Sequence, residues 1–151
     1  MGFFLNNIKP KIQLFSLLLL IILVSVLSCK KDKDADVVPN VYVNIYIYMS
    51  DPDFVDLNAV GGWVYITGGS KGIVVYRYSM EEFRAYDRHC TYQPSNGCER
   101  IEVESSGIIA TDPSCGSQFV LTDGSVMTGP ASILLKEYQA EFDGSLLHIY
   151  N

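Results

Sequence analysis

Two kinds of hydrophobic pattern divide the chain. Leu14 to Leu27 is an almost unbroken apolar run, interrupted only by Ser16 and Ser25. From residue 40 onward the apolar positions alternate. Val41, Val43, Ile45 and Ile47 interleave with Tyr42, Asn44, Tyr46 and Tyr48, the period of two that predicts a strand with one aliphatic and one aromatic face. Asp51-Pro52-Asp53 breaks that strand. Trp63–Thr67 and Ile73–Tyr78, joined by Gly68-Gly69-Ser70-Lys71-Gly72, predict a hairpin with a glycine-rich turn. Further strands are expected at Phe83–Asp87, Arg100–Glu104, Ile108–Thr111, Phe119–Leu121, Tyr138–Phe142 and Leu146–Tyr150. Asn96-Gly97, Ser105-Ser106-Gly107, Asp123-Gly124, Gly129-Pro130 and Asp143-Gly144 mark the turns. Ser79 with Glu82 three residues later has capping-box spacing and predicts one helical turn. Many short strands with frequent turns give an all-β fold, a small antiparallel sandwich.

The apolar run at the start has the anatomy of a secretory signal. Lys9 and Lys11 precede it, and Val26-Leu27-Ser28-Cys29 ends it with a small residue before a cysteine. That ending resembles the lipobox of bacterial lipoproteins. Residues 1–28 are therefore read as a signal peptide and Cys29 as the lipid-bearing first residue of the mature chain. The run is short for a spanning helix, which needs about 20 apolar residues. An acyl anchor holds a soluble domain at a membrane without crossing it. Residues 29–39 carry dense charge and read as a tether. The stretch behind Cys29 also resembles the surface-export tag of some Gram-negative lipoproteins. The expected location is the bacterial cell envelope, with the outer membrane favoured. Residues 40–151 form the single β domain.

Charge narrows the partners. The signal holds two lysines and no acids, so the chain's eleven basic and seventeen acidic residues leave a net charge of −8 beyond residue 28. That balance argues against nucleic acid, which requires a basic stripe. The expected partners are a membrane, through the anchor, and an envelope protein. Removing Cys29 leaves Cys90, Cys98 and Cys115, an odd set in an oxidising compartment, where one disulfide is expected.

The stretch from Ala85 onward resembles a Rieske-type iron–sulfur domain. Ala85-Tyr86-Asp87-Arg88-His89-Cys90-Thr91-Tyr92 resembles the family's first cluster-binding box, Cys-x-His. Asp112-Pro113-Ser114-Cys115-Gly116-Ser117-Gln118-Phe119 resembles the second, Cys-x-x-His-Gly-Ser-x-Phe. Gly129-Pro130-Ala131 resembles the loop that closes over the cluster, and Leu135, Tyr138 and Leu146-Leu147-His148-Ile149 the final hairpin. The resemblance implies a Rieske-like β domain and, for an intact member, a [2Fe-2S] cluster held by two cysteines and two histidines.

Carried over residue by residue, the four ligand positions fall on Cys90, Tyr92, Asp112 and Cys115, so only the first keeps its type. The loop-tying cysteines fall on Ser95 and Ser114. The chain is therefore expected to keep the fold without the cluster, in a structural or binding role. An electron-transfer protein with a [2Fe-2S] cluster on atypical ligands is the alternative. A disulfide from Cys115 to Cys98, imitating the family's loop tie, is slightly favoured over Cys115 to Cys90. Either closes a loop of about 17 to 25 residues and is worth roughly 3 kcal/mol in the chain-entropy treatment.

Other candidates carry less. Cys90, Cys115, Asp112 and His89 have the donor types of a zinc site, but the spacing matches no zinc signature, and no metal is expected. His89 is read as a surface histidine, and His148 as a surface or packing residue. Glu81, Glu82, Asp87 and Asp112 are read as solvated loop acids. Nothing marks a catalytic pair, so an enzyme is not favoured. The tyrosines are assigned to core or sheet covering.

Overall fold

The alternation read from the sequence becomes two antiparallel sheets in the computed structural model, which describes residues 36–96 and 100–151. The signal, Cys29, most of the tether and Cys98 lie outside the described residues. The larger sheet contains β1 (Asn44–Tyr48), β2 (Trp63–Ile66), β3 (Ile73–Arg77), β4 (Phe83–Asp87), β9 (Glu137–Phe142) and β10 (Leu146–Tyr150), in the order β1-β10-β9-β4-β3-β2. The smaller contains β5 (Glu102–Val103), β6 (Ile109–Thr111), β7 (Gln118–Val120) and β8 (Val126–Thr128), in chain order. Every named pairing is antiparallel.

β3 explains how the sheets are held. Its Ile-Val-Val-Tyr-Arg run is buried throughout, and a strand sends successive side chains to opposite faces. Ile73 and Val75 join Ile47, Ala85, Tyr138, Leu147 and Ile149 in one core. Val74 and Tyr76 join Tyr86, Ile101, Ala110, Phe119, Leu121 and Leu135 in the other. β3 and β4 are the wall common to both cores. A fully buried aliphatic or aromatic side chain is worth about 1.5–3 kcal/mol, so this wall is the main apolar tie between the larger sheet and the β5–β8 sheet.

Three local expectations change. The aromatic face of β1 is not covered: Tyr46 is 53% and Tyr48 63% exposed, while Ile47 on the opposite face is buried. His148, opposite Tyr46 on β10, stacks at 4.3 Å on Tyr46 and 4.5 Å on Tyr150. The Ser79–Glu82 segment forms no helix. Ser79 Oγ accepts from the Glu81 and Glu82 amides, at 3.2 and 3.0 Å, but the segment closes the β3–β4 hairpin. Asp51-Pro52-Asp53 does more than break a strand. It opens a short 3-10 segment, Pro52–Asn58, with the Asp51 side chain accepting from the Asp53 amide at 3.0 Å. The last tether residues touch the domain: Asp36 Oδ1 accepts from the Ser95 amide at 2.9 Å, and Pro39 O from Lys136 Nζ at 2.8 Å.

Candidate functional site

β4 delivers the first loop. Its last residue, Asp87, is fully buried, against the expectation of a solvated acid. Oδ2 accepts from the Ser70 amide at 2.6 Å and the Tyr138 hydroxyl at 2.7 Å. Oδ1 accepts from the His89 amide at 2.9 Å and the Lys71 amide at 3.2 Å. One carboxylate thus fastens the glycine-rich turn, β9 and the start of the Cys90 loop together. Burial, followed by the hydrogen bond to Asp87, pushes the Tyr138 phenol far above its ordinary value.

His89 is buried as well, so its assignment to the surface is corrected. Nε2 lies 3.1 Å from Pro94 O and Nδ1 lies 2.8 Å from Ser70 Oγ. A carbonyl can only accept, so Nε2 carries the proton and Nδ1 accepts from the serine. Burial holds the imidazole below its ordinary 6.5. The Pro94 hydrogen bond raises it, Lys71 lowers it, and Asp87 and Asp36 raise it slightly. Above pH 6.5 the ring is neutral folded and unfolded. As pH falls through 6.5 the unfolded chain takes up a proton that the folded chain resists, so stability is lost until the folded value is passed. Urea unfolding at about pH 7.5 and about pH 5.5 checks this. The wild type is expected to lose more stability across that interval than His89→Gln, and equal losses would remove His89 as the cause.

The second loop runs from β6 to β7. Asp112, a second of the four acids expected in solvent, is fully buried. Its Oδ1 accepts from the Ser114 amide at 2.8 Å and the Cys115 amide at 3.3 Å. Its Oδ2 is buried with no partner at hydrogen-bond geometry. Burial opposes the charge on Asp112, but the Cys90 thiol and the Ser114 and Cys115 donors outweigh it and hold the carboxyl below its usual range. Cys90 is fully buried, and that burial pushes its thiol far up; the Tyr92 backbone pulls it partly back, and the Asp112 carboxylate raises it again.

The two loops meet at sulfur. Cys90 Sγ and Cys115 Sγ stand 3.7 Å apart as free thiols. Cys115 Sγ lies 3.1 Å from Ser117 Oγ, which also accepts the Ala131 amide at 2.9 Å. Ala131 follows the cis Gly129–Pro130 peptide, so the Gly-Pro-Ala loop closes on the second loop as the resemblance implied. Tyr92 packs against the same core. One donor atom each from Cys90, Asp112 and Cys115 lie within 4.8 Å of one another. The chain's two histidines are elsewhere. His89 spends both ring nitrogens on Ser70 and Pro94, and His148 Nε2 pairs with Asn44 Oδ1 at 2.7 Å on the larger sheet.

By sequence the chain matches no protein-family model and no curated protein. By structure it is similar to the plasma membrane Rieske protein PetC3 of the cyanobacterium Synechocystis PCC 6803. The TM-score is 0.54 at 20% identity, over 71% of this chain and 99% of that one. The fold is Rieske-like. A second likeness is to the terminal oxygenase of carbazole 1,9a-dioxygenase from Novosphingobium sp. KA1, with TM-score 0.43, 14% identity, and coverage of 76% of this chain and 31% of that one.

Sequence reasoning missed the Asp87–Tyr138 bond and the Ser117 bridge between Cys115 and Ala131. The Rieske-like domain places Cys90, Asp112 and Cys115 at the paired loops, with no imidazole among the donors they gather.

Proposed function

We propose that this chain is a lipoprotein anchored through Cys29 in the bacterial envelope, whose Rieske-like domain has a structural or binding role without a [2Fe-2S] cluster. The observation that carries the reading is that no imidazole joins the donors gathered by the paired loops, since His89, although it precedes Cys90 on the first loop, turns both ring nitrogens to Ser70 and Pro94. A Rieske centre needs two imidazoles on its second iron, and both ring nitrogens of His89 are committed to Ser70 and Pro94, while His148 lies on the larger sheet with Nε2 on Asn44. The residues at those positions, Tyr92 and Cys115, with Asp112 in place of a cysteine, do not fit that cluster. The lipid anchor rests on Val26-Leu27-Ser28-Cys29, and outer-membrane placement on the charged stretch behind it. The exposed Ile133 and Leu134, 53% and 58% accessible beside Thr91, give the loop end an apolar surface for an envelope protein partner.

The alternative is an electron-transfer protein whose [2Fe-2S] cluster uses Cys90, Cys115 and oxygen ligands. The fold and the approach of the two thiols favour it. One measurement separates the two. The full chain, expressed with iron and purified in detergent under reducing conditions, is assayed for iron, acid-labile sulfide and visible absorption. No stoichiometric chromophore is expected, and finding one would overturn the cluster-free reading. The anchor is tested separately. Cys29→Ser is expected to abolish lipid labelling and move the protein from the membrane to the soluble fraction, and unchanged fractionation would overturn the anchor.

A further inference from the structure

We infer that Cys90, Cys115 and Asp112 form a binding site for a single thiophilic divalent cation of the zinc class. The inference rests on the cluster-free reading and gives its loop pair a ligand.

Three observations point to it. The sulfurs stand 3.7 Å apart. Two thiolates on one tetrahedral zinc, with Zn–S bonds of about 2.3 Å, stand about 3.8 Å apart along the tetrahedron edge. The loops already hold that edge. Second, Asp112 Oδ2 is a fully buried carboxylate oxygen with no partner at hydrogen-bond geometry; the thiol that stabilises the Asp112 charge is that of Cys90, itself one of the three ligands, and a donor oxygen of Asp112 lies within 4.8 Å of both sulfurs. Buried polar atoms are normally satisfied, and a cation between this oxygen and the sulfurs satisfies it. Oδ1 is occupied by two backbone amides, which fix the carboxylate without using its other oxygen. Third, a supporting group is in place. Ser117 Oγ already accepts from the Ala131 amide, so its own proton can turn toward a Cys115 thiolate 3.1 Å away.

The donor set selects the cation. Two sulfurs with one carboxylate suit a borderline-soft d¹⁰ ion and disfavour magnesium or calcium, which take oxygen shells. The reaction balances without an oxidant: the cation enters, the two thiols release two protons, and Asp112 contributes its existing charge. The metal–ligand unit carries a net charge of −1. Cys115 is only partly buried, so the site opens to solvent there, and a fourth position remains for water or an exogenous ligand. The sequence offered these three donors together with His89 and set them aside because their spacing matches no zinc signature; in the fold His89 faces away, toward Ser70 and Pro94.

Disulfide formation competes for the same sulfurs, which would have to close to about 2.05 Å. The experiment therefore reads metal and thiols together. The full chain, in detergent, is isolated and assayed for zinc, iron, sulfide and free thiols. It is then stripped, reduced and titrated with Co²⁺, whose thiolate charge-transfer absorption reports sulfur ligation. One zinc per chain without sulfide is expected, with a cobalt–thiolate spectrum. Cys115→Ser should lose stoichiometric binding. Asp112→Asn keeps the Oδ1 acceptor and loses the second anionic oxygen. It should weaken binding by at least the roughly 10–100-fold that losing a mere supporting group costs at metal sites. Circular dichroism identifies any variant that has not folded, and the other variant then decides. Iron with acid-labile sulfide would overturn both this inference and the cluster-free reading. No cation, with either a Cys90–Cys115 disulfide or unligated thiols, would overturn this inference alone. So would unchanged affinity in either folded variant.

Discussion

Asp87→Ala is expected to lower the unfolding free energy by about 3–5 kcal/mol, the range for breaking a buried network of charge-assisted hydrogen bonds. The carboxylate accepts from Ser70 N, Lys71 N, His89 N and Tyr138 Oη. Each donor left unpaired in the interior costs about 1–3 kcal/mol. The sum is not additive, because Ser70 and Lys71 lie on one turn that can relax outward. Tyr138→Phe removes one donor with its need for a partner and should cost only about 1 kcal/mol. Asp87→Asn should fall between, since its carbonyl can serve the His89 and Lys71 amides while its NH₂ faces the Ser70 amide. Urea titrations followed by the single tryptophan, Trp63, measure all three. Because Asp87 also fixes the amide two residues before Thr91, Asp87→Asn should speed alkylation of the buried Cys90 thiol. A change within about 0.5 kcal/mol for Asp87→Ala, the range of ordinary surface substitutions, would show that this carboxylate holds nothing together.

How much of this was legible depends on where the partner sits in the chain. Strand positions are local. Phe83–Asp87 and Leu146–Tyr150 emerge with the bounds the alternation predicts. β8 was not foreseen because Val126-Met127-Thr128 is three residues long and largely exposed, with no alternation to read. Alternation also gives β1 two faces without saying which is covered, and the tyrosine face proves open. The Rieske-like motifs placed Cys90, Asp112 and Cys115 in register, and the fold brings those loops together. The burial of Asp87, His89 and Asp112 was not legible. A polar residue reads as solvated unless its partner is visible, and Ser70 lies 17 residues and Tyr138 51 residues from Asp87. For the same reason His89 was assigned to the surface, whereas its two ring nitrogens reach Ser70 and Pro94 in the interior.

The second large effect comes from a glycine. Gly124 lies between β7 and β8, where its carbonyl accepts the Leu135 amide at 2.9 Å. Its φ is +72°, and a β-carbon there would stand 2.8 Å from Cε1 of Tyr86. Tyr86 is 1% exposed on the wall common to both cores, so its ring cannot retreat without disturbing Phe119 or Leu135. Gly124→Ala should therefore cost about 1 kcal/mol for a left-handed backbone and a further 1–3 kcal/mol or so for overpacking. Gly116 separates the terms. Its φ is +75°, nearly the same, but nothing lies within 4 Å of the position its β-carbon would take. Gly116→Ala should show the backbone cost alone. The difference between the two variants then measures the contact with Tyr86, and Gly124→Ala combined with Tyr86→Leu should cost less than the sum of the single changes. Equal losses in Gly116→Ala and Gly124→Ala would mean that backbone strain is the whole effect. The close approach of the β7–β8 turn to β4 would then not be what holds the smaller sheet, with its share of the thiol site, against the larger one.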